Sequence, residues 1–188
     1  MKMLEEKQTR FMDLLKQGEM VFAPCVWDCY STKAAEMCGF KAALLAGTPA
    51  AASLTGTPDL GLMTGDELIY LTERVASFAS IPILVDFDEG YGDSPLNTYR
   101  NVTRLVNAGA QGFTLDDGMG IRGCTRMGYV KPGEHPYELV SREHFKAKIK
   151  AALEAIRGTD CVLIARTEVR INEGFEEAIY RMKMAEDM

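Results

Sequence analysis

Apolar positions along the chain fall into short unbroken runs, each followed by a stretch where apolar residues recur at helical spacing. Met3 to Gln17 sets Leu4, Phe11, Leu14 and Leu15 at near-helical intervals and stops at Gly18, predicting an opening amphipathic helix. Val21 to Cys25 is a short run closed at Pro24, and Ser31 as N-cap with Gly39 as stop predicts a helix over Thr32 to Cys38. Ala42 to Leu45 reads as a buried strand, and Thr64-Gly65-Asp66-Glu67 is a capping box that opens a helix through about Ser80. Ile81 to Val85 precedes Ser94-Pro95, the N-cap and first residue of a helix that stops at Gly109. Gly112 to Leu115 leads into a long Gly-rich loop before Ser141 caps a helix to about Arg157. Cys161 to Ala165 comes before a last helix from about Glu173 onward.

Strands thus alternate with helices five times. Runs without period-two alternation, each followed by a helix, describe parallel strands covered on both faces, the α/β class. A doubly wound five-stranded sheet and part of a (β/α)8 TIM-type barrel both satisfy that order. At 188 residues the length alone favours the open sheet, because eight units typically need about 250. Both architectures carry their active groups at the carboxyl ends of the strands.

Those ends are acidic. The third strand runs out through Asp86-Phe87-Asp88-Glu89-Gly90-Tyr91-Gly92, and the fourth through Asp116-Asp117-Gly118. Carboxylates bunched where a buried strand emerges are costly unless a cation or a hydrogen-bonding substrate sits there. With Asp59 from the long connection after the second strand, Asp86, Asp88 and Asp116 supply the hard oxygen ligands that Mg2+ or Mn2+ prefers. The fifth strand ends in Arg166-Thr167-Glu168, and its arginine is placed to grip a substrate carboxylate in a bidentate way. Ala46-Gly47-Thr48 can add backbone N–H donors to the same anion.

The loop from Gly118 to Pro136 contains GxGxxG at Gly118, Gly120 and Gly123, but the glycines and prolines that follow cannot form the helix a dinucleotide fingerprint requires. It reads instead as a glycine-hinged lid carrying Cys124 between Arg122 and Arg126, expected to close over an anionic substrate.

Composition narrows the partners. With 27 Asp and Glu against 21 Lys and Arg, and no block of basic residues, the chain lacks the face a nucleic acid or an anionic membrane would need. Residues 1–10 offer no apolar signal segment, so a cytoplasmic protein is expected. Five scattered cysteines without a CxxC pair argue against disulfides and structural zinc. The expected partners are a small carboxylate substrate and further copies of the same chain.

Taken in order, Trp27-Asp28, Gly39-Phe40, Pro58-Asp59-Leu60-Gly61, Asp86 to Gly92, Pro95-Leu96-Asn97, Glu138 to Ser141 and Ile164 to Glu168 resemble the isocitrate lyase/phosphoenolpyruvate mutase superfamily, in its methylisocitrate lyase-like branch. The resemblance covers the chain from about Val21 onward. It implies a (β/α)8 barrel of which residues 1–188 form a single partial domain of about the first five units, Mg2+ as the metal, and 2-oxo or 2-hydroxy acids reacting through an enolate-like intermediate.

Residue by residue, the resemblance implies Asp86 as the direct metal ligand, with Asp59, Asp88 and Asp116 holding the metal's waters. Ala46, Gly47 and Thr48 would present backbone N–H groups to the substrate carboxylate. Trp27, Asp28, Arg122, Arg166 and Glu168 join them as substrate-binding residues. Cys124 falls on the acid of the lyase gating loop, so that Cys124, Arg166 and Asp59 make up the catalytic set. The implied reaction is Mg2+-dependent cleavage of a carbon–carbon bond. A phosphonopyruvate mutase or hydrolase, or an oxaloacetate decarboxylase, would use the same site. A non-catalytic truncated barrel serving as a binding or assembly module is the reading from another class.

Overall fold

The computed structural model describes residues 10–122 and 137–188. Its main sheet has five parallel strands: β1 (Cys25–Val26), β2 (Ala43–Leu45), β3 (Ile83–Asp86), β4 (Gly112–Leu115) and, after a separate hairpin, β7 (Val162–Ala165). The hairpin pairs β5 (Gly118–Arg122) antiparallel with β6 (Tyr137–Leu139). The helices are α1 (Phe11–Lys16), α2 (Cys29–Met37), α3 (Gly47–Thr55), α4 (Gly65–Phe78), α5 (Pro95–Asn107), α6 (Arg142–Ala155), α7 (Val169–Glu173) and α8 (Phe175–Glu186).

Strand order is β1-β2-β3-β4-β7, each strand beside its predecessor in the sheet. A doubly wound sheet reverses direction after its first strands. The consecutive order therefore overrules the expectation from length and is that of a barrel laid down strand by strand. Leu45, Val85 and Phe113 stand level in the ladder and are fully buried, with Leu68, Leu105, Phe145 and Ile149 packed from the helices into the same core. A smaller cluster sets Phe11 and Leu14 of α1 against Ala42 and Leu84. No helix among the described residues is long and apolar enough to cross a membrane.

Local signals explain most boundaries. Thr64 and Glu67 form the reciprocal capping box of α4, Ser94 caps α5 before Pro95, and Ser141 caps α6. Four expectations change. The cap of α2 is Asp28, which accepts from the Ser31 N–H at 2.7 Å while the Ser31 hydroxyl takes the Asp28 N–H, so Ser31 is the third residue of the helix. The segment after β2 contains a helix, α3. The first five residues of the expected lid, Gly118 to Arg122, are strand β5. Near the end of the chain the expected helix is α8, and a short helix that was not expected, α7, precedes it across Gly174 at φ 92°.

Candidate active site

The ladder sets the level of the rim. Asp86 is the last residue of β3 and pairs in register with Thr114, while Leu115 pairs with Ala165, which brings Asp116 and Arg166 out side by side. The Arg166 N–H donates to the Leu115 carbonyl at 2.9 Å and closes that step.

Three carboxylates converge over α3. A methyl group built on Gly47 would lie 3.6 Å from Asp86 Oδ2 and 3.7 Å from the Oδ2 atoms of Asp59 and Asp88. Asp59 is held from the side, its Oδ2 accepting from Thr48 Oγ1 at 2.7 Å. Asp88 is 3% exposed and accepts from the Tyr91 hydroxyl at 3.0 Å. Asp88 and Tyr91 both adopt left-handed backbone, φ 55° and 54°, around a turn closed by the Gly90 N–H on the Phe87 carbonyl. Such conformations cost of order 1–3 kcal/mol each, and here they aim a buried carboxylate into the cluster.

Arg166 faces this group. Its guanidinium reaches Asp86 Oδ1 at 3.0 Å, Asp116 Oδ2 at 3.4 Å and Glu168 Oε1 at 3.1 Å. Burial opposes its charge, but Asp86, Asp116, Glu168 and Asp88 outweigh that effect and raise its pKa. Thr114 Oγ1 donates to the same Asp86 oxygen at 2.8 Å, and the Gly118 N–H donates to Asp116 Oδ1 at 2.9 Å.

The acid pair after β4 is split by the fold. Asp116 joins the cluster, whereas Asp117 is fully buried and accepts from the Glu168 N–H at 3.0 Å, from the Thr167 hydroxyl and from Arg181.

The substrate-binding candidates divide as well. Gly47 and Thr48 open α3, so their N–H groups have no partner within the helix and point toward its N-terminal end. The Ala46 N–H is spent on the Val26 carbonyl at 3.0 Å and is not a donor for an anion. Asp28 is committed to capping α2. Trp27, 40% exposed, lines a cavity of about 500 Å³ beside β1 with Cys25, Tyr30, Cys38 and Phe40, away from the Arg166 contacts. Glu168 binds Arg166. Arg122 ends β5 across from Tyr137, and Cys124 lies outside the described residues.

Sequence reasoning passed over Thr114, Tyr91, Arg181 and Lys148. Lys148 is 1% exposed on the apolar stripe of α6 between Phe145 and Ala152, where a lysine is itself a signal. Its ammonium donates to the Gly92 carbonyl at 3.0 Å, and burial lowers its pKa against the pull of Glu89, Asp93 and Asp116.

The donor set is all oxygen, which suits Mg2+ or Mn2+ rather than a soft metal. Among the described residues no three His, Cys, Asp or Glu are placed so that together they could hold a metal ion. Mg2+ is commonly held by one or two carboxylates with water filling its other positions, so the residues present fit it.

A parallel β/α rim that gathers acids around a helix N-terminus, with an arginine opposite, defines a barrel-type site for a divalent cation and an anionic ligand. Residues 11–187 match the family model described as phosphoenolpyruvate phosphomutase. The chain belongs to this family, within the isocitrate lyase/phosphoenolpyruvate mutase superfamily. It is 36% identical over 148 residues to 2-methylisocitrate lyase of Escherichia coli (strain K12), covering 78% of this chain and 47% of that protein. It superposes on oxaloacetate acetylhydrolase in complex with 3,3-difluorooxalacetate with a TM-score of 0.85 at 30% identity, covering 95% of this chain and 59% of the other. It superposes on a phosphonopyruvate hydrolase complex with oxalate and Mg2+ with a TM-score of 0.79 at 28% identity, covering 94% and 58%. The fold is therefore α/β with the strands of a TIM-type barrel. The chain spans about half the length of the curated relatives it matches.

Proposed function

We propose that the protein is a Mg2+-dependent carbon–carbon bond lyase acting on a 2-hydroxy or 2-oxo dicarboxylic acid through an enolate-like intermediate. The observation that carries this reading is the convergence of Asp59, Asp86 and Asp88 on one point above Gly47, opposite Arg166. Asp86 would hold the metal directly, with Asp59, Asp88 and Asp116 around its waters and Mn2+ as a substitute. When bound, the ion supplies positive charge to the enolate oxygen that develops on cleavage. The Gly47 and Thr48 N–H groups and the Arg166 guanidinium orient one substrate carboxylate, whose charge takes over from Asp86 and Asp116 as the partner of Arg166. Cys124 protonates the leaving fragment, and Arg122 draws that fragment's charge under the lid. In the same proposal residues 1–188 are one partial barrel domain, assembled as a homo-oligomer in the cytoplasm.

A panel of isocitrate, methylisocitrate, malate analogues, oxaloacetate and phosphonopyruvate, assayed with Mg2+ for pyruvate or glyoxylate, tests the reading. Release together with a second carboxylic acid supports the lyase, and Cys124→Ser should then cut turnover at least about tenfold while leaving oxalate binding intact. Pyruvate with only CO2 or phosphate would replace the lyase by a decarboxylase or hydrolase. No turnover on any substrate, with concentration-dependent assembly, would leave a binding module.

A further inference from the structure

Next to the rim, joined to Arg166 through Glu168, lies a chain of charges that the proposed reaction does not use. Arg181 of α8 is 3% exposed and Asp117 is fully buried, and they pair at 3.1 Å. Burying both members of an ion pair costs several kcal/mol of desolvation, which attraction repays only when the geometry satisfies every donor and acceptor. Here it does. Arg181 Nη1 also donates to the Val140 carbonyl at 2.9 Å, its Nε donates to Glu177 Oε1 at 2.9 Å, and the Val140 N–H returns to the Asp117 carbonyl at 2.9 Å. One guanidinium from the outer helix layer thereby ties the tail of β4 to the start of α6.

The other end of Asp117 reaches the tail of β7. Its Oδ1 accepts from the Glu168 N–H at 3.0 Å and its Oδ2 from the Thr167 hydroxyl, so two consecutive residues after Arg166 hang from one carboxylate. Glu168 in turn holds the Arg166 Nε at 3.1 Å. Glu168 already has helical backbone angles, φ −99° and ψ 0°, as the residue that opens α7, so Thr167 and Glu168 form the turn out of β7. Holding that turn at Thr167 and at the Glu168 N–H therefore restrains both the backbone that follows Arg166 and the carboxylate that binds its Nε.

We propose that Arg181, acting through Asp117, is a positioning residue that aims Arg166 at the carboxylate cluster. The proposal deepens the functional reading above and rests on it for the role of Arg166 toward a substrate carboxylate. Arg181 touches no reacting group. It orients the Asp117 carboxylate, Asp117 holds Thr167 and Glu168, and Glu168 holds Arg166. A fold seeking stability alone would gain as much from apolar residues of similar volume at these two positions. What apolar residues cannot do is fix the hydrogen-bond directions of the β7 tail.

The test uses the full chain and two readouts: the exchange rate of the Arg166 Nε–H by 15N NMR, assigned with Arg166→Lys, and oxalate affinity in the presence of Mg2+ by calorimetry. Arg181→Lys keeps a charge but not the planar set of donors that reaches Asp117, Glu177 and Val140 together, and the paired variant Asp117→Asn with Arg181→Met removes both buried charges without stranding either. Both should quicken Arg166 Nε–H exchange at least about tenfold and weaken oxalate binding about 10- to 100-fold, the range for losing a group that orients a direct ligand. The lysine variant should show the smaller effect. Arg142→Gln, which breaks the far side of Glu177, should lower thermal stability without moving the Arg166 signal. If the paired variant does not fold, the lysine variant decides. A folded variant with parental Arg166 exchange and oxalate affinity within about twofold of the parent overturns the proposal, whatever its stability. Should the parent chain itself fail to bind oxalate with Mg2+, the substrate reading is what falls, and the Arg166 exchange rates alone decide the positioning role.

Discussion

Asp86 and Arg166 stand 80 positions apart in the chain, yet a carboxylate oxygen of one lies 3.0 Å from the guanidinium of the other. β4 lies between their strands and adds the Thr114 hydroxyl to the same oxygen, so three strand ends meet on one atom. Replacing Asp86 should therefore affect ligand binding far more than folding. Asp86→Asn is expected to weaken Mg2+-dependent oxalate binding at least about 100-fold while shifting Tm by no more than a few degrees. Calorimetry and a thermal melt on the same sample check both halves.

Gly47 gives a sharper separation of binding from stability. It opens α3 with no left-handed φ, and the contacts a methyl would make, 3.6 to 3.7 Å, are ordinary van der Waals distances. Gly47→Ala should keep stability within about 1 kcal/mol of the parent, because alanine suits a helix. The same methyl projects among three carboxylate oxygens and should reduce Mg2+-dependent oxalate affinity at least about tenfold. Parental affinity in this variant would mean that the ligand binds elsewhere.

Gly112 is required by the sheet instead. A methyl there would come 2.6 Å from Leu84 Cδ2 and 3.2 Å from the Val162 carbonyl oxygen, with Leu84 already packed against Phe11. Gly112→Ala should cost about 1–3 kcal/mol in urea unfolding, with an unchanged m-value.

Glu177 predicts part of the acid response. Hydrogen bonds from Arg142, with burial working against them and Arg181 adding to them, lower its pKa from the ordinary 4.5 to about 2. A group whose pKa is depressed by folding contributes stability that is present above its unfolded value and lost as pH falls toward the folded one. Glu177→Gln should thus be less stable than the parent at neutral pH, and the two Tm curves should converge between pH 4.5 and about 2. Parallel curves through that range would show that Glu177 has no such role.

The parallel strands and the acids were legible in the sequence because each announces itself within a few residues: an unbroken apolar run, then carboxylates where the run ends. Helices with side-chain caps, such as α4 at Thr64 and α5 at Ser94, were equally plain. α3 was not, because its cap is Ala46, which makes no side-chain hydrogen bond, and its glycine and proline resemble a loop. β5 escaped for a related reason, since Gly118 and Gly120 carry no side chain to show strand alternation. The division of labour between Asp116 and Asp117 lay beyond local reading. It is decided by Arg181, which arrives from a helix far along the chain.

That late arrival has a counterpart during synthesis. Asp59, Asp86, Asp88 and Asp116 all leave the ribosome before Arg166, since β7 follows β3 and β4 in the chain. Until it docks, the nascent rim holds its carboxylates together without the guanidinium that faces them, and their mutual repulsion works against premature closure of the first four strands. The order of translation thereby presents the acids of the rim before the guanidinium that pairs with them.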